Sequence, residues 1–500
     1  MGDVFPFSLG ELQGYFSTAI YKDSFVIHEG AALWLGSSGP VKQLAILTRA
    51  ENPLLEHFEG GAQEFRAGYI LKRCPVSHAN AYALRSALTW LQPRLIGLET
   101  SAGFGDRLGL ATPGHVQALR HAQREARLHM ITPIFAQQSI REMQRTGRSP
   151  VDVLNDATWG AFQAGWRGTV GADADHLKSF ADIDACVAAG YTFYTIDPGA
   201  YVDSKSASDD PATVRQKVES LPWQELESSP AELQRRYTRR QPNLHTPSMP
   251  LSEQDIWLAA AKYGKAVAHI VSMYRYLAAK DVPFELEISV DETETPTSHA
   301  EHIYIASELR RLGVQWVSLA PRYVGRFEKG VEYIGNLHEL QANLNGHAAI
   351  ARALGPYKLS LHSGSDKFKV YPLIVAATGG LVHLKTAGTS YVEALRVIAR
   401  VRPALFREIV ACACEHYAHD RASYHVSAEV SHVPTLSSLP DTSLVGLLDD
   451  NNARQILHVT FGSVLSSFGP AIIARLQAHE DMYYETLEQH FYRHLKPFGG

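Results

Sequence analysis

Short apolar runs alternate with capped helical segments through most of this 500-residue chain, and that rhythm limits the fold more than any single motif does. The runs fall at 94–99, 130–135, 168–172, 191–196, 283–290, 315–319, 358–361 and 381–384. Between them, helix starts are written as a serine followed three residues later by an acid: Ser149 with Asp152, Ser179 with Asp182, Ser252 with Asp255, Ser298 with Glu301, Ser390 with Glu393. A strand that returns through a helix pairs in parallel with the next one. Eight such units are the number that closes a barrel. An open doubly wound sheet fits the alternation too, but no Gly-x-Gly-x-x-Gly run follows the first strand. The expected fold class is α/β, a (β/α)8 TIM-type barrel.

The rhythm holds from about residue 91 to 400. Residues 1–90 read as an irregular, β-containing addition and 401–500 as a helical extension. After the fourth strand, residues 203–251 are polar and rich in Ser, Pro, Gln and Arg, which suggests an insertion or lid. A net charge of −5 argues against general binding to nucleic acid or an anionic membrane. No apolar stretch approaches the ~20 residues of a membrane span, and the first residues lack the basic-then-apolar order of a secretion signal. Four cysteines (Cys74, Cys186, Cys412, Cys414) are too few and scattered for a disulfide framework, and Cys412 and Cys414 point to different helix faces. A cytoplasmic protein with a small-molecule partner is expected; the oligomeric state is left open.

In such a barrel, chemistry sits at the carboxyl ends of the strands. Those ends carry Glu99, Asp175-His176, Asp197, Glu285 and Glu287, the loop 322–328, His362, and His383 with Lys385. Carboxylates, histidines and lysines converging on one rim suit a divalent metal with an acid/base partner, and Zn, Mn, Co and Ni are all compatible. Glu285 and Glu287 alternate with apolar residues and so share a face; inside a barrel both need a partner or a role, with Glu287 better placed for catalysis. Lys385 suits a substrate anion or an imine. His299 and His302 read as a solvated helix face, and His416, His419, His425 and His432 as unassigned tail residues.

Three segments carry a resemblance: Asp173-Ala174-Asp175-His176-Leu177-Lys178, the loop from Ala320-Pro321-Arg322 to Tyr333, and Leu361-His362-Ser363-Gly364-Ser365-Asp366-Lys367. Together they resemble the tagaturonate epimerase family. The resemblance implies a barrel enzyme that interconverts D-tagaturonate and D-fructuronate with a divalent metal. A more distant likeness, to metal-dependent class II aldolases, rests on the Asp-His pair and the His-Ser-Gly-Ser loop. The departures, Ser363 and then Asp366-Lys367, favour a carboxylate over a phosphate. The two likenesses agree chemically. The inverted carbon is β to the ketone, where deprotonation gives an unstabilised carbanion, whereas retro-aldol cleavage gives an enediolate that a metal stabilises.

On this reading Asp175 and Glu287 are the acid/base residues, and His176, Glu328 and His362 hold the metal. Arg322, Ser363, Asp366, Lys367 and Lys385 bind substrate. The alternatives are an aldolase or lyase on a related keto sugar acid, with or without a Schiff base, and an epimerase of neutral ketohexoses. A two-carboxylate glycosidase and a non-catalytic sugar-acid binding protein are the others.

Overall fold

In the computed structural model, residues 5–13, 19–39, 41–125, 131–239 and 251–499 are described. Met130, where the second strand was expected to begin, lies outside them, as do residues 240–250 of the insertion and 1–4 and 14–18 of the N-terminal addition.

Six short strands come first: β1 (Ala19–Ile20), β2 (Val26–His28), β3 (Ala31–Ser38), β4 (Val41–Arg49), β5 (Gly61–Glu64) and β6 (Tyr69–Pro75). They pair antiparallel in the order β1-β3-β4-β6-β5, with β2 also on β3. Period-two alternation gives this sheet two apolar faces. Ala32 and Trp34 pack with Phe5, Phe7 and Tyr69, while Leu33 and Leu35 join the main core.

The barrel is closed and parallel, formed by β7 (Ser101–Gly103), β8 (Thr132–Ser139), β9 (Gly171–Leu177), β10 (Phe193–Ile196), β11 (Glu285–Ser289), β12 (Ser318–Ala320), β13 (Lys358–Leu361) and β14 (Val382–Lys385). The pairing of Lys385 with Gly103 closes the ring. Four of the expected caps are full capping boxes, at Ser149, Ser179, Ser252 and Ser298. The fifth is not: Ser390 lies inside the helix Thr389–Val401, whose N-cap is Gly388.

Two strand assignments change. Residues 94–99 form no strand. Gly97 has a φ of 61°, and the amides of Ile96 and Gly97 donate to the Glu285 carboxylate, so this segment plugs the amino end of the barrel. Glu99 therefore precedes the first strand instead of ending it, and its carboxylate accepts from the Thr132 hydroxyl. β9, expected to end at Ala172, runs on to Leu177, which places Asp173 and Asp175 inside the barrel. The barrel interior departs from the branched apolar filling usual in this fold: Asp173, Thr195, Glu287, Ser318, Lys358, His383 and Lys385 are all buried there.

The insertion lies on the flank. Its helices Pro211–Glu219 and Pro230–Arg239 pack along the helix Glu253–Ala278, and Tyr237 donates to Glu308 at 3.1 Å. No described residue of 203–239 lines the barrel mouth; the C-terminal helices reach it instead. The last of them, Glu480–Leu495, packs on the first barrel helix, Thr112–Glu125, where Gly114 permits close approach: a Cβ there would meet Leu487 at 2.7 Å. Among the described residues no single helix is long and apolar enough to cross a membrane.

Candidate active site at the barrel mouth

A bulge builds the centre of the site. Thr195 of β10 faces two residues of β9, Asp175 and His176, because the register slips between Tyr194 and Ile196. Strict alternation would turn His176 out of the barrel, but the bulge and its φ of 55° bring it in beside Asp175. Opposite, β13 ends and His362 follows. Gly364 lets the loop fold back over β14, since a Cβ there would meet the Leu361 and Lys385 carbonyls at 2.6 and 2.9 Å. The two imidazole rings stand 4.3 Å apart, centre to centre.

Each ring is held from behind. Asp197 lies 3.2 Å from Nδ1 of His176, and Glu287 and Asp291 lie 3.4 and 3.8 Å from Nδ1 of His362. The Nε2 atoms face Glu292 (3.7 Å from His176) and Asp175 (3.1 Å from His362). Beneath them Lys385 reaches Asp173, Asp175 and Glu287 at 2.8, 2.8 and 2.9 Å and the Thr195 hydroxyl at 2.7 Å. Ser318 donates to Glu287 and Gln137 to Asp175, at 2.5 and 3.2 Å.

Ionisation follows from these contacts. Burial opposes charge on Asp175 and Glu287, yet the Lys385 ammonium and the His362 ring hold both well below the usual carboxylate range. Burial likewise disfavours charge on His362, but Asp291 and Asp175 outweigh it and push the ring up to about 10. His176 is raised against burial by Asp175 and Glu292, while Glu292 falls to about 2 through His176 and Lys329. Excess negative charge thus raises both imidazoles against the effect of burial.

Those same charges fit a divalent cation. Asp175, His176 and His362 each present a ligand atom within 4.8 Å of the others, and His176, Asp197 and Glu292 form a second such group. Both His362 nitrogens are buried and meet carboxylates, not hydroxyls or backbone groups, the surroundings of an imidazole that shares its site with a cation. Carboxylates behind the imidazoles are the usual outer support of metal-bound histidines. Above the centre opens a cavity of about 250 Å³, lined by Asp291, Arg322, Lys329, His362, Ser363 and Tyr424 among others. A smaller chamber below it reaches Asp175 and His176.

Asp175, His176, Glu287, His362, Ser363 and Lys385 are thus brought together, and Arg322 lines the same cavity. Three residues named from the sequence stand apart from the centre. Glu328 lines the cavity, but its carboxylate is engaged by Ser427, Gln455 and Arg326 and belongs to neither histidine group. Lys367 is buried and donates to the carbonyls of Glu328, Val331 and Ser365, leaving no hydrogen for a substrate. Asp366 is bound by Arg454 at 2.9 Å and faces His490 and His494 at 3.3 and 3.5 Å. That group also has metal-compatible spacing, but the Asp366 amide already donates to His494 Nε2 and the Arg454 guanidinium supplies the cation. Lys385, expected to bind substrate, lines neither chamber and is held among three carboxylates. His302, expected on a solvated face, is a buried core residue between His347 (2.9 Å) and Tyr357 (2.7 Å).

The sequence reading overlooked Asp291 and Glu292, which lie just past the end of β11, where the strand-end rule would have found them. It also overlooked Lys329, which adjoins Glu328, and His490 with His494, four apart on one helix face.

A closed parallel barrel whose carboxyl mouth gathers two imidazoles, several carboxylates and buried lysines defines a (β/α)8-barrel enzyme with a metal-compatible centre. The sequence matches the tagaturonate epimerase family over residues 21–498, and the chain belongs to that family. It is 44% identical to tagaturonate/fructuronate epimerase of Thermotoga maritima over 429 residues, 85% of this chain and 86% of that protein. Crystal structures of fructuronate–tagaturonate epimerase from Cohnella laeviribosi, one native and one with glycerol, superpose with a TM-score of 0.89 at 33% identity, covering 98% of either chain.

Proposed function

We propose that this enzyme interconverts D-tagaturonate and D-fructuronate by breaking and remaking the carbon–carbon bond beside the inverted centre. The observation that carries the reading is the meeting of His176, His362 and Asp175 beneath a sugar-sized cavity. We assign His176 and His362 as the residues that would hold a divalent cation. Glu292, not Glu328, is the third, because its carboxylate faces His176 Nε2 at 3.7 Å. Bound there, the cation supplies Lewis-acid polarisation of the substrate ketone.

The protein's own residues do the rest. Asp175, held below the usual carboxylate range by Lys385 and His362 against the effect of burial, takes the proton of the β-hydroxyl. The bond between that carbon and the carbon next to the ketone then breaks, its electron pair forming an enediolate and leaving an aldehyde. Rotation of the aldehyde exposes its other face, the bond re-forms, and Asp175 returns the proton. Glu287 has a different part: fully buried and outside both chambers, it orients His362. A cavity of about 250 Å³ is at the small end for ligand sites, which keeps both three-carbon fragments close enough to recombine. Four free cysteines fit a reducing compartment, and we place the activity in the cytoplasm.

The test is metal analysis beside a product assay on tagaturonate. Appearance of fructuronate without solvent deuterium at the inverted carbon is expected; deuterium there means deprotonation instead, and two three-carbon products mean a lyase. His362→Ala should lose metal content and turnover together. A variant retaining both removes His362 from the site.

A further inference from the structure

We infer that Lys329 holds the substrate's carboxylate and makes the enzyme prefer sugar acids over neutral ketoses, an inference that rests on the proposed sugar-acid reading. Five cationic side chains face the two chambers: Arg107, Arg141, Arg322, Arg326 and Lys329. Arg107 is spent on Glu142 and the His458 carbonyl. Arg141 pairs with Glu292 at 3.3 Å. Arg322 donates one N–H to the Thr293 carbonyl and lines only the larger chamber, away from Asp175 and His176. Arg326 is 58% exposed and turned to Glu328 at 3.5 Å.

Lys329 differs. Its nearest carboxylate, Glu292, is 3.9 Å away, and its one close partner is the Ser363 hydroxyl at 3.0 Å. Glu292 is itself shared with Arg141 and His176. Lys329 also lines both chambers, as His362, Ser363 and Tyr424 do. A carboxylate two carbons from the inverted centre would therefore find the ammonium beside the residue that follows His362. The backbone on either side is fixed in advance: buried Lys367 binds the carbonyls of Glu328 and Val331. A preset charge costs little ordering on binding.

The test compares Lys329→Met and Lys329→Gln with the parent enzyme on tagaturonate and on fructose, and measures binding of glycerate and glycerol by calorimetry. One charge-assisted hydrogen bond lost predicts a fall in kcat/KM on tagaturonate and in glycerate affinity of roughly 10- to 100-fold. Activity on fructose and glycerol binding should stay within about threefold. An unchanged ratio between acid and neutral ligands, or equal losses on both, overturns the assignment. Glycerate binding does not depend on turnover, so a parent enzyme inactive on tagaturonate would refute the functional proposal while still judging Lys329. The glutamine variant keeps a neutral hydrogen-bonding group at this position and the methionine variant does not, so either protein can decide the outcome alone.

Discussion

Replacing Lys385 by Met removes, among the described residues, the one ammonium in direct contact with a buried group of three carboxylates. Removing one partner from a buried ion pair costs about 3–5 kcal/mol. Here Asp173, Asp175 and Glu287 all lie within 2.9 Å of the lost charge, so the upper end is expected at pH 7. Melting temperature moves by about 2–4 °C per kcal/mol in chains of 150–250 residues, and by roughly half that in one twice as long. The variant should melt about 5–10 °C below the parent. Its pH dependence is the sharper signature. In the parent, Asp175 and Glu287 are depressed and Lys385 is raised. The stability these acids give is therefore complete above the ordinary carboxylate range and is lost only as pH falls through their lowered values. None of the three titrates between pH 5 and 7. In the variant, burial is opposed by the neighbouring imidazoles but no longer by the ammonium and raises the acids, so the folded protein binds more protons than the unfolded chain and gains stability as pH falls. Calorimetry of chelator-dialysed protein at pH 7 and pH 5 should show the melting deficit shrinking at the lower pH. A deficit that is constant or larger at pH 5 refutes the argument that Lys385 neutralises this cluster.

Two further outcomes follow from groups around the site and in the core. Asp197→Asn leaves His176 without its charged support and should weaken metal binding by about 10- to 100-fold, read by titration calorimetry; unchanged affinity would remove Asp197 from that role. His302 is held by burial at about 3 in the folded protein, so its contribution is present above the ordinary histidine range and lost as pH falls towards 3. His302→Asn should flatten the decline of melting temperature between about pH 6.5 and 4.5, and an equally steep decline would contradict it.

What could be read from the sequence follows the physics of each segment. Strand β13 is apolar along its outward residues and bounded by Gly355-Pro356 and the loop at His362, so its limits were legible. The first strand, Ser101-Ala102-Gly103, has no apolar pattern because it is short and lies against a polar interior. The apolar run before it drew the assignment instead. The same interior hid the end of β9, since inward Asp173 and Asp175 look like loop residues. Asp175-His176 and His362 stood out as residue types at strand ends. The fates of Lys367 and Asp366 could not, because spacing does not reveal whether a charge meets a ligand, three carbonyls or an arginine 88 positions away.

The mouth of this barrel is finished by residues that follow all eight of its strands. Tyr424, His425 and His458 wall the chambers, and the loop after His362 is fastened to Arg454 and to His494 on the final helix. Eight strands emerging from a ribosome would therefore close a barrel without a working site. Activity should switch on only when the helix Glu480–Leu495 has also been made and has docked on the first barrel helix, so closing the barrel and arming the site are separate events.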